Sequence, residues 1–311
     1  MLSTMRNSEE HIVRVLRLLL RGMARIPYPA GQFLGGMLGT AASFLPVPRL
    51  RVSLENMRAC FGGERTEAEL RRLNRRMFRH FGRMLFEVPH ILCLTEKNVE
   101  RYVSLENQEY LTRALAQGKG VLVLTAHFGN WELMSAAMAV HHGGTAVVVR
   151  PLDFPPADRI LEELRARFNT QIIPKQKGAR RILEALRRGK PVGILLDQNV
   201  DWYEGVFVDF LGRTACTNKG LALIALKVGV PVVPAFSVRR PEGGYRVVFL
   251  PPVEAQRTGD PQRDVEDTTA RYADVLARVI QAHPDHWFWF HRRWKTRNSC
   301  PLPGPSAGGG S

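Results

Sequence analysis

Residues 121–134 read VLVLTAHFGNWELM. A six-residue run with the character of a buried strand, VLVLTA, ends on a histidine, and five positions later a glutamate stands at the head of an apolar helical pattern. Asn130, just before Trp131 and Glu132, has the right side chain to cap that helix. A strand that passes through a short polar turn into a helix is the opening half of a β-α-β unit. The question it raises is why a histidine and an acid should sit at the junction.

Working outward, the same alternation repeats. Strand-like runs at TAVVVR (145–150), TQIIP (170–174) and VGILLD (192–197) are separated by helical patterns near 130–141, 156–168 and 178–189, and a further helix is expected at 217–229. The last two runs, PVVPAFSVR (231–239) and YRVVFLPPV (245–253), read as an antiparallel hairpin around Pro241, Glu242, Gly243 and Gly244. This order predicts an α/β fold, with a mostly parallel central sheet flanked by helices. Upstream, residues 51–95 carry helical periodicity through Leu54 and Met57, then through Leu73, Met77, Phe81 and Leu85. Thr66 with Glu69 forms a capping-box pattern, and Glu87, Pro89 and His90 end the helix.

Three regions follow: an N-terminal amphipathic helical section at 1–50, a catalytic-size domain at 51–298 (helical entry 51–118, α/β core 119–298), and a flexible tail at 299–311, PLPGPSAGGGS being its bulk. From Val13 to Leu50 the chain is apolar but interrupted by Arg14, Arg17, Arg21 and Arg25 and by Pro27 and Pro29. Its longest uninterrupted stretch, Phe33 to Pro46, falls short of the roughly 20 apolar residues that a spanning helix needs. A secretory signal fits poorly, because arginines recur through the apolar part. Two readings stay open: the segment lies in the headgroup layer of an anionic leaflet, or it packs on the domain as a helical hairpin.

The net charge is +15, and 36 of the 44 basic residues are arginine. The planar guanidinium suits phosphate and carboxylate, so anionic partners are implied: nucleic acid, anionic lipid or an acidic carrier protein. The four cysteines, Cys60, Cys93, Cys216 and Cys300, lie far apart with no short-range metal-ligand spacing, which argues against disulfides and a structural zinc.

Catalytic groups in parallel sheets gather at the carboxyl ends of strands. His127, Arg150 and Asp197 each stand at such an end. In one continuous helix His127 and Glu132 would lie about 140° apart, so they meet only if the histidine folds back from the turn. There Glu132 can accept the Nδ1 proton and make Nε2 a general base. The plainer reading is that Glu132 complements the helix dipole and His127 is a satisfied turn residue.

HFGNWE resembles the histidine, four residues, acid signature of glycerolipid-type acyltransferases. The wider text, with TAHFGNWE, VVVRPL, LLDQN, GVFVDFLGRTACTNKGLALIALKVGVPVVPAFSVR and HPDHWFWFHRRWKTR in order, resembles the lipid A biosynthesis acyltransferase family over about residues 25 to 298. The resemblance implies catalysis by His127 oriented by Glu132, moving an acyl chain from an acyl carrier protein thioester to a hydroxyl of a lipid A precursor, with no cofactor and no metal. It implies substrate binding by Arg150, Asp197, Asn130, Gly205, Gly212 and Arg213, on the cytoplasmic face of the inner membrane, with no nucleic acid. Arg150 would grip a phosphate, or else simply pair with Asp153; Asp197 would orient substrate, tie down the Gly205–Gly212 loop or cap a turn. Gly205, Gly212 and Arg213 would form a phosphate-facing loop unless they are only turn chemistry, with Asn218 and Lys219 at the next helix start. Cys216 is expected to pack rather than react. The alternative within the same chemistry is an acyl-CoA-dependent enzyme for another glycolipid, such as a phosphatidylinositol mannoside. The aromatic and basic run Trp287–Lys295 suits a membrane interface, resembles a nucleic-acid-binding surface, or closes the core with half its aromatics inside.

Overall fold

The computed structural model describes residues 2–297. The expected tail lies outside the described residues. In chain order the elements are α1 (Leu2–Ala24), α2 (Tyr28–Ala42), α3 (Pro48–Phe61), α4 (Glu67–Glu87), a 3-10 turn (Val88–Cys93), α5 (Val99–Tyr102), β1 (Val103–Glu106), α6 (Glu109–Leu115), β2 (Val121–Thr125), α7 (Trp131–His142) and β3 (Ala146–Val149). They continue with α8 (Pro155–Ala166), β4 (Gln171–Pro174), α9 (Ala179–Arg187), β5 (Pro191–Leu195), β6 (Gly205–Phe210), β7 (Arg213–Asn218), α10 (Gly220–Val228), β8 (Val232–Arg239), β9 (Tyr245–Phe249) and α11 (Pro261–Ala282).

Seven strands form one sheet in the order β1-β9-β8-β2-β5-β3-β4, parallel at every pairing except β8 with β9. The α/β fold and the closing antiparallel hairpin are as expected. β2 sits at the centre with all five residues buried, because helices cover both faces of the sheet. Leu122, Leu124 and Val192 join Ile182, Leu221 and Leu276 of α9, α10 and α11 on one face. Val121, Val123 and Val233 join Leu111, Leu133, Met134 and Leu164 of α6, α7 and α8 on the other. The capping box holds: Thr66 accepts from the Glu69 N–H while the Glu69 carboxylate accepts from Thr66, a cap worth about 1 kcal/mol.

Two elements differ from expectation. β1, a four-residue edge strand, falls within the expected helical entry 51–118. The stretch Gly205–Asn218, expected to hold a phosphate-facing loop, is instead the antiparallel hairpin β6–β7. Its turn uses Leu211 and Gly212, both with positive φ (58° and 74°).

The N-terminal helices pack on the domain. At the α2–α4 crossing the backbones touch, so that a Cβ on Gly82 would lie 2.2 Å from the Gly35 carbonyl oxygen and one on Gly39 2.2 Å from that of Phe78. Gln32 of α2 donates to Glu87 at 3.0 Å, and Glu87 in turn binds the Arg239 guanidinium and the Tyr245 hydroxyl. Burial pushes the Glu87 carboxyl up, and the Arg239 charge with its hydrogen bonds more than offsets this and holds it low. Arg17 of α1 pairs with Glu163 of α8 at 2.7 Å. The outer faces remain apolar: Leu18, Leu19, Phe33, Met37, Leu38 and Phe44 are each more than half exposed. Among the described residues no helix is long and apolar enough to cross a membrane.

Candidate active site

The register of β2 on β5 builds the site. Val121 lies beside Pro191 and Thr125 beside Leu195. Two residues further along each chain stand His127 and Asp197. The His127 Nδ1 is 2.9 Å from Asp197 Oδ1, and the His127 backbone N–H donates to Oδ2 at 3.0 Å. The Trp287 indole N–H donates to the same Oδ2 at 2.8 Å. Burial alone would raise the Asp197 pKa. The His127 charge and the three hydrogen bonds outweigh it and hold the carboxyl at about 2. An ionised acceptor at Nδ1 assigns the ring proton to that nitrogen and leaves Nε2 to accept. Nε2 lies 3.4 Å from the Gln198 side-chain amide.

The expectation that Glu132 orients His127 is therefore corrected: Asp197 holds Nδ1. Glu132 is the second residue of α7, and its carboxylate takes a bidentate pair from Arg165 of α8, at 2.9 Å from Nε and 2.5 Å from the terminal nitrogen. The Trp131 indole adds a bond at 3.0 Å. Neither partner reaches far into solvent, with Glu132 7% and Arg165 15% exposed.

The turn between strand and helix is held rigidly. Gly129 has φ 61°, and a Cβ there would lie 1.7 Å from the Ser237 carbonyl oxygen, so only glycine fits. Its N–H donates to the His286 carbonyl at 2.9 Å, while the Phe288 N–H donates to the His127 carbonyl at 3.0 Å. The C-terminal segment thus straps the turn through the Phe128–Trp287 bridge. Trp287 and Trp289 are fully buried, so the reading of these tryptophans as membrane-interface residues is corrected. The alternation places Phe288 and Phe290 on the opposite side, in the wall of a cavity.

That cavity has a volume of about 870 Å³. His127, Gln198, Phe288 and His291 line it together, while Met134, Met138, Val147, Leu161 and Leu195 give it an apolar body. Arg150, Lys175 and Lys219 lie at its margin. Arg150 reaches the cavity but pairs with Asp153 at 3.1 Å and is largely exposed. Asn130 caps α7, accepting from the Leu133 N–H at 3.0 Å, and is fully buried outside the lining. Its expected substrate role is replaced by that cap. Gly205, Gly212 and Arg213 also lie outside the lining. A Cβ on Gly205 would meet Cys216 Sγ at 2.7 Å, and Arg213 sits 4.7 Å over the Trp294 ring. Cys216 is buried in the hairpin, with its thiol directed at the Asp201 carbonyl at 3.7 Å.

Sequence reasoning missed Arg165, Trp287 and His291. Burial lowers the His291 pKa to about 4, and its neutral Nε2 accepts the Asn199 N–H at 2.7 Å, bracing the loop after Asp197. Only the last two carried a signal, through their place in the aromatic run.

A histidine with a buried carboxylate on Nδ1 and only a long 3.4 Å contact from Gln198 at Nε2, in the lining of an apolar cavity, has the equipment to deprotonate a hydroxyl beside a lipid chain. Comparison with known proteins gives the family. The family model for bacterial lipid A biosynthesis acyltransferases matches residues 4–296. The chain is 29% identical over 277 residues to the lipid A biosynthesis lauroyltransferase of Escherichia coli, covering 88% of each chain. It is 26% identical over 275 residues to the palmitoleoyltransferase of the same organism, covering 88% of this chain and 87% of that one. A phosphatidylinositol mannoside acyltransferase of Mycobacterium tuberculosis is 24% identical over 221 residues, 69% of this chain and 67% of its own. With the match running through the strand ends, the His127 turn and the C-terminal strap alike, the chain belongs to the bacterial lipid A biosynthesis acyltransferase family.

Proposed function

We propose that this acyltransferase moves a fatty acyl chain from an acyl carrier protein thioester to the hydroxyl of a 3-hydroxyacyl chain on a lipid A precursor, with His127 as general base. The observation that carries this is the His127–Asp197 pair, with His127 in the lining of the apolar cavity. His127 takes the hydroxyl proton as the oxygen attacks the thioester carbonyl. The new C–O bond forms, the C–S bond breaks, and the proton passes from His127 to the leaving thiolate. Asp197 stabilises the transient imidazolium. The amino end of α7, four residues past His127, offers its helix dipole to the developing oxyanion.

In this reading Glu132 acts through Arg165, fixing the head of α7 and the cavity wall, rather than through His127. Arg150, Lys175 and Lys219 supply cationic groups for the acceptor phosphate or for the donor's phosphopantetheine arm. The surplus of +15 favours an acidic carrier and an anionic surface. The exposed apolar faces of α1 and α2 suit peripheral attachment to the cytoplasmic side of the inner membrane. On α4, Arg72, Arg75, Arg76 and Arg79 line a surface groove with Thr40 of α2, where lipid phosphates would sit.

The mannoside acyltransferase relative supports a second reading, another glycolipid acceptor, with which an acyl-CoA donor is paired. Donor competition separates the two. With the lipid A precursor as acceptor, the first reading expects acyl carrier protein thioester to be consumed in preference to acyl-CoA at equal concentration. Preferential consumption of acyl-CoA would move the assignment to the second.

A further inference from the structure

We propose that Gly193 sets the length of acyl chain the cavity accepts, by leaving the cavity floor open where the distal part of the chain would lie. The inference rests on the acyl-transfer reading above. The sheet register puts Val123, Gly193 and Val147 in one row across β2, β5 and β3. All three line the cavity on the side covered by α7 and α8. Thr125 and Leu195 form the row nearer His127. Pro191, with Thr145, lies at the far end. From Leu195 to Pro191 the floor runs roughly 13 Å at the usual strand rise of about 3.3 Å per residue, the span of a medium-length acyl tail.

Nothing in the fold requires glycine at this position. Its φ lies outside the left-handed region, and a Cβ would meet only Val147 Cγ1 at 3.6 Å and the Ala146 carbonyl oxygen at 3.8 Å, both ordinary contacts. A glycine inside a strand gives up side-chain packing and backbone entropy, and typically marks a place where another group comes close. Here the missing side chain keeps a gap between Val123 and Val147. Gly193 is also the last position at which β5 pairs with β3, through Ala146–Val192 and Val147–Gly193. Beyond it, Val148 and Ile194 line the cavity as well as Val149 and Leu195. Filling this point narrows the passage between the catalytic end and the far end. A valine suits a strand and would occupy the gap, while an alanine would occupy part of it.

The test is a length profile of the full chain and of Gly193→Ala and Gly193→Val, using saturated acyl carrier protein thioesters from decanoyl to stearoyl and reading product masses. The expected result is a loss of about tenfold or more in kcat/KM for the longest chains that the unmodified protein accepts. Shorter donors should be used as before, the melting midpoint should not fall, and alanine should give the smaller shift. An unchanged length profile in the folded variants overturns the inference, and Gly193→Ala decides it if the valine variant does not fold. If the unmodified protein transfers no chain, saturated free fatty acids of the same lengths serve as probes in thermal-shift binding. A cut-off that moves to shorter chains in Gly193→Val then supports the length inference while sinking the transfer reading. An unmoved cut-off overturns the length inference.

Discussion

Replacing Asp197 with asparagine tests which carboxylate serves the histidine. The substitution keeps the shape and an acceptor oxygen for the Trp287 and His127 N–H groups, and removes one charge 2.9 Å from Nδ1. At an effective dielectric of about 20, that charge stabilises a full imidazolium by about 6 kcal/mol. Part is lost to solvent, since the His127 side chain is 24% exposed, and the retained amide oxygen recovers part of the hydrogen bond. An amide that turns its NH2 toward Nδ1 also selects the wrong tautomer. The net expectation is a fall in kcat of about 10³-fold to 10⁴-fold, comparable to the effect of neutralising the buried aspartate of a Ser-His-Asp triad. The assay is product mass against time at saturating donor, with circular dichroism and melting midpoint to confirm the fold. A rate within tenfold of the unmodified protein, in a folded Asp197→Asn, refutes the reasoning.

Three further outcomes follow from the geometry. Glu132→Gln should act mainly on stability: it leaves Arg165 buried and charged without its partner, at a cost of about 3 kcal/mol in chemical denaturation. A loss of rate with unchanged stability would point back to a direct catalytic role. Trp287→Phe removes one donor to Asp197 and raises its pKa from about 2 toward the ordinary value. A depressed carboxylate contributes stability above its unfolded pKa and loses it as pH falls through the folded pKa, so acid unfolding of the variant should begin at higher pH. Equal acid midpoints would contradict that assignment. Gly82→Ala drives a methyl into the Gly35 carbonyl and should separate α2 from α4, costing about 1 to 3 kcal/mol and opening the α1–α2 connection to limited proteolysis; unchanged protease resistance would count against the close crossing.

The fold was legible because its signals are local. Each main strand shows as a short apolar run and each helix as a periodic one, so their alternation declares the parallel sheet. His127 was legible for the same reason, standing where β2 stops. Its partner was not, because spacing along the chain sees only neighbours, and Asp197 is brought in from 70 residues away by the register of β5 on β2. A signal was present: VLVLTAH and PVGILLD each run a strand, one further residue and then the functional side chain. The β6–β7 hairpin was hidden by its turn. Two positive-φ residues normally advertise themselves as Asn-Gly, whereas here the first is Leu211, held by burial in the core. Glu132 misled because an acid in the first turn of a helix is equally well explained by a cross-helix partner, and Arg165 lies on another element.

The most direct measurement of the central claim is the mass of the product formed when the purified protein meets a tetraacylated lipid A precursor and an acyl carrier protein thioester, alongside a folded His127→Ala variant. A gain of one acyl chain by the unmodified protein, absent with the variant, is the expected result. The same product from the variant at a comparable rate would contradict catalysis by His127.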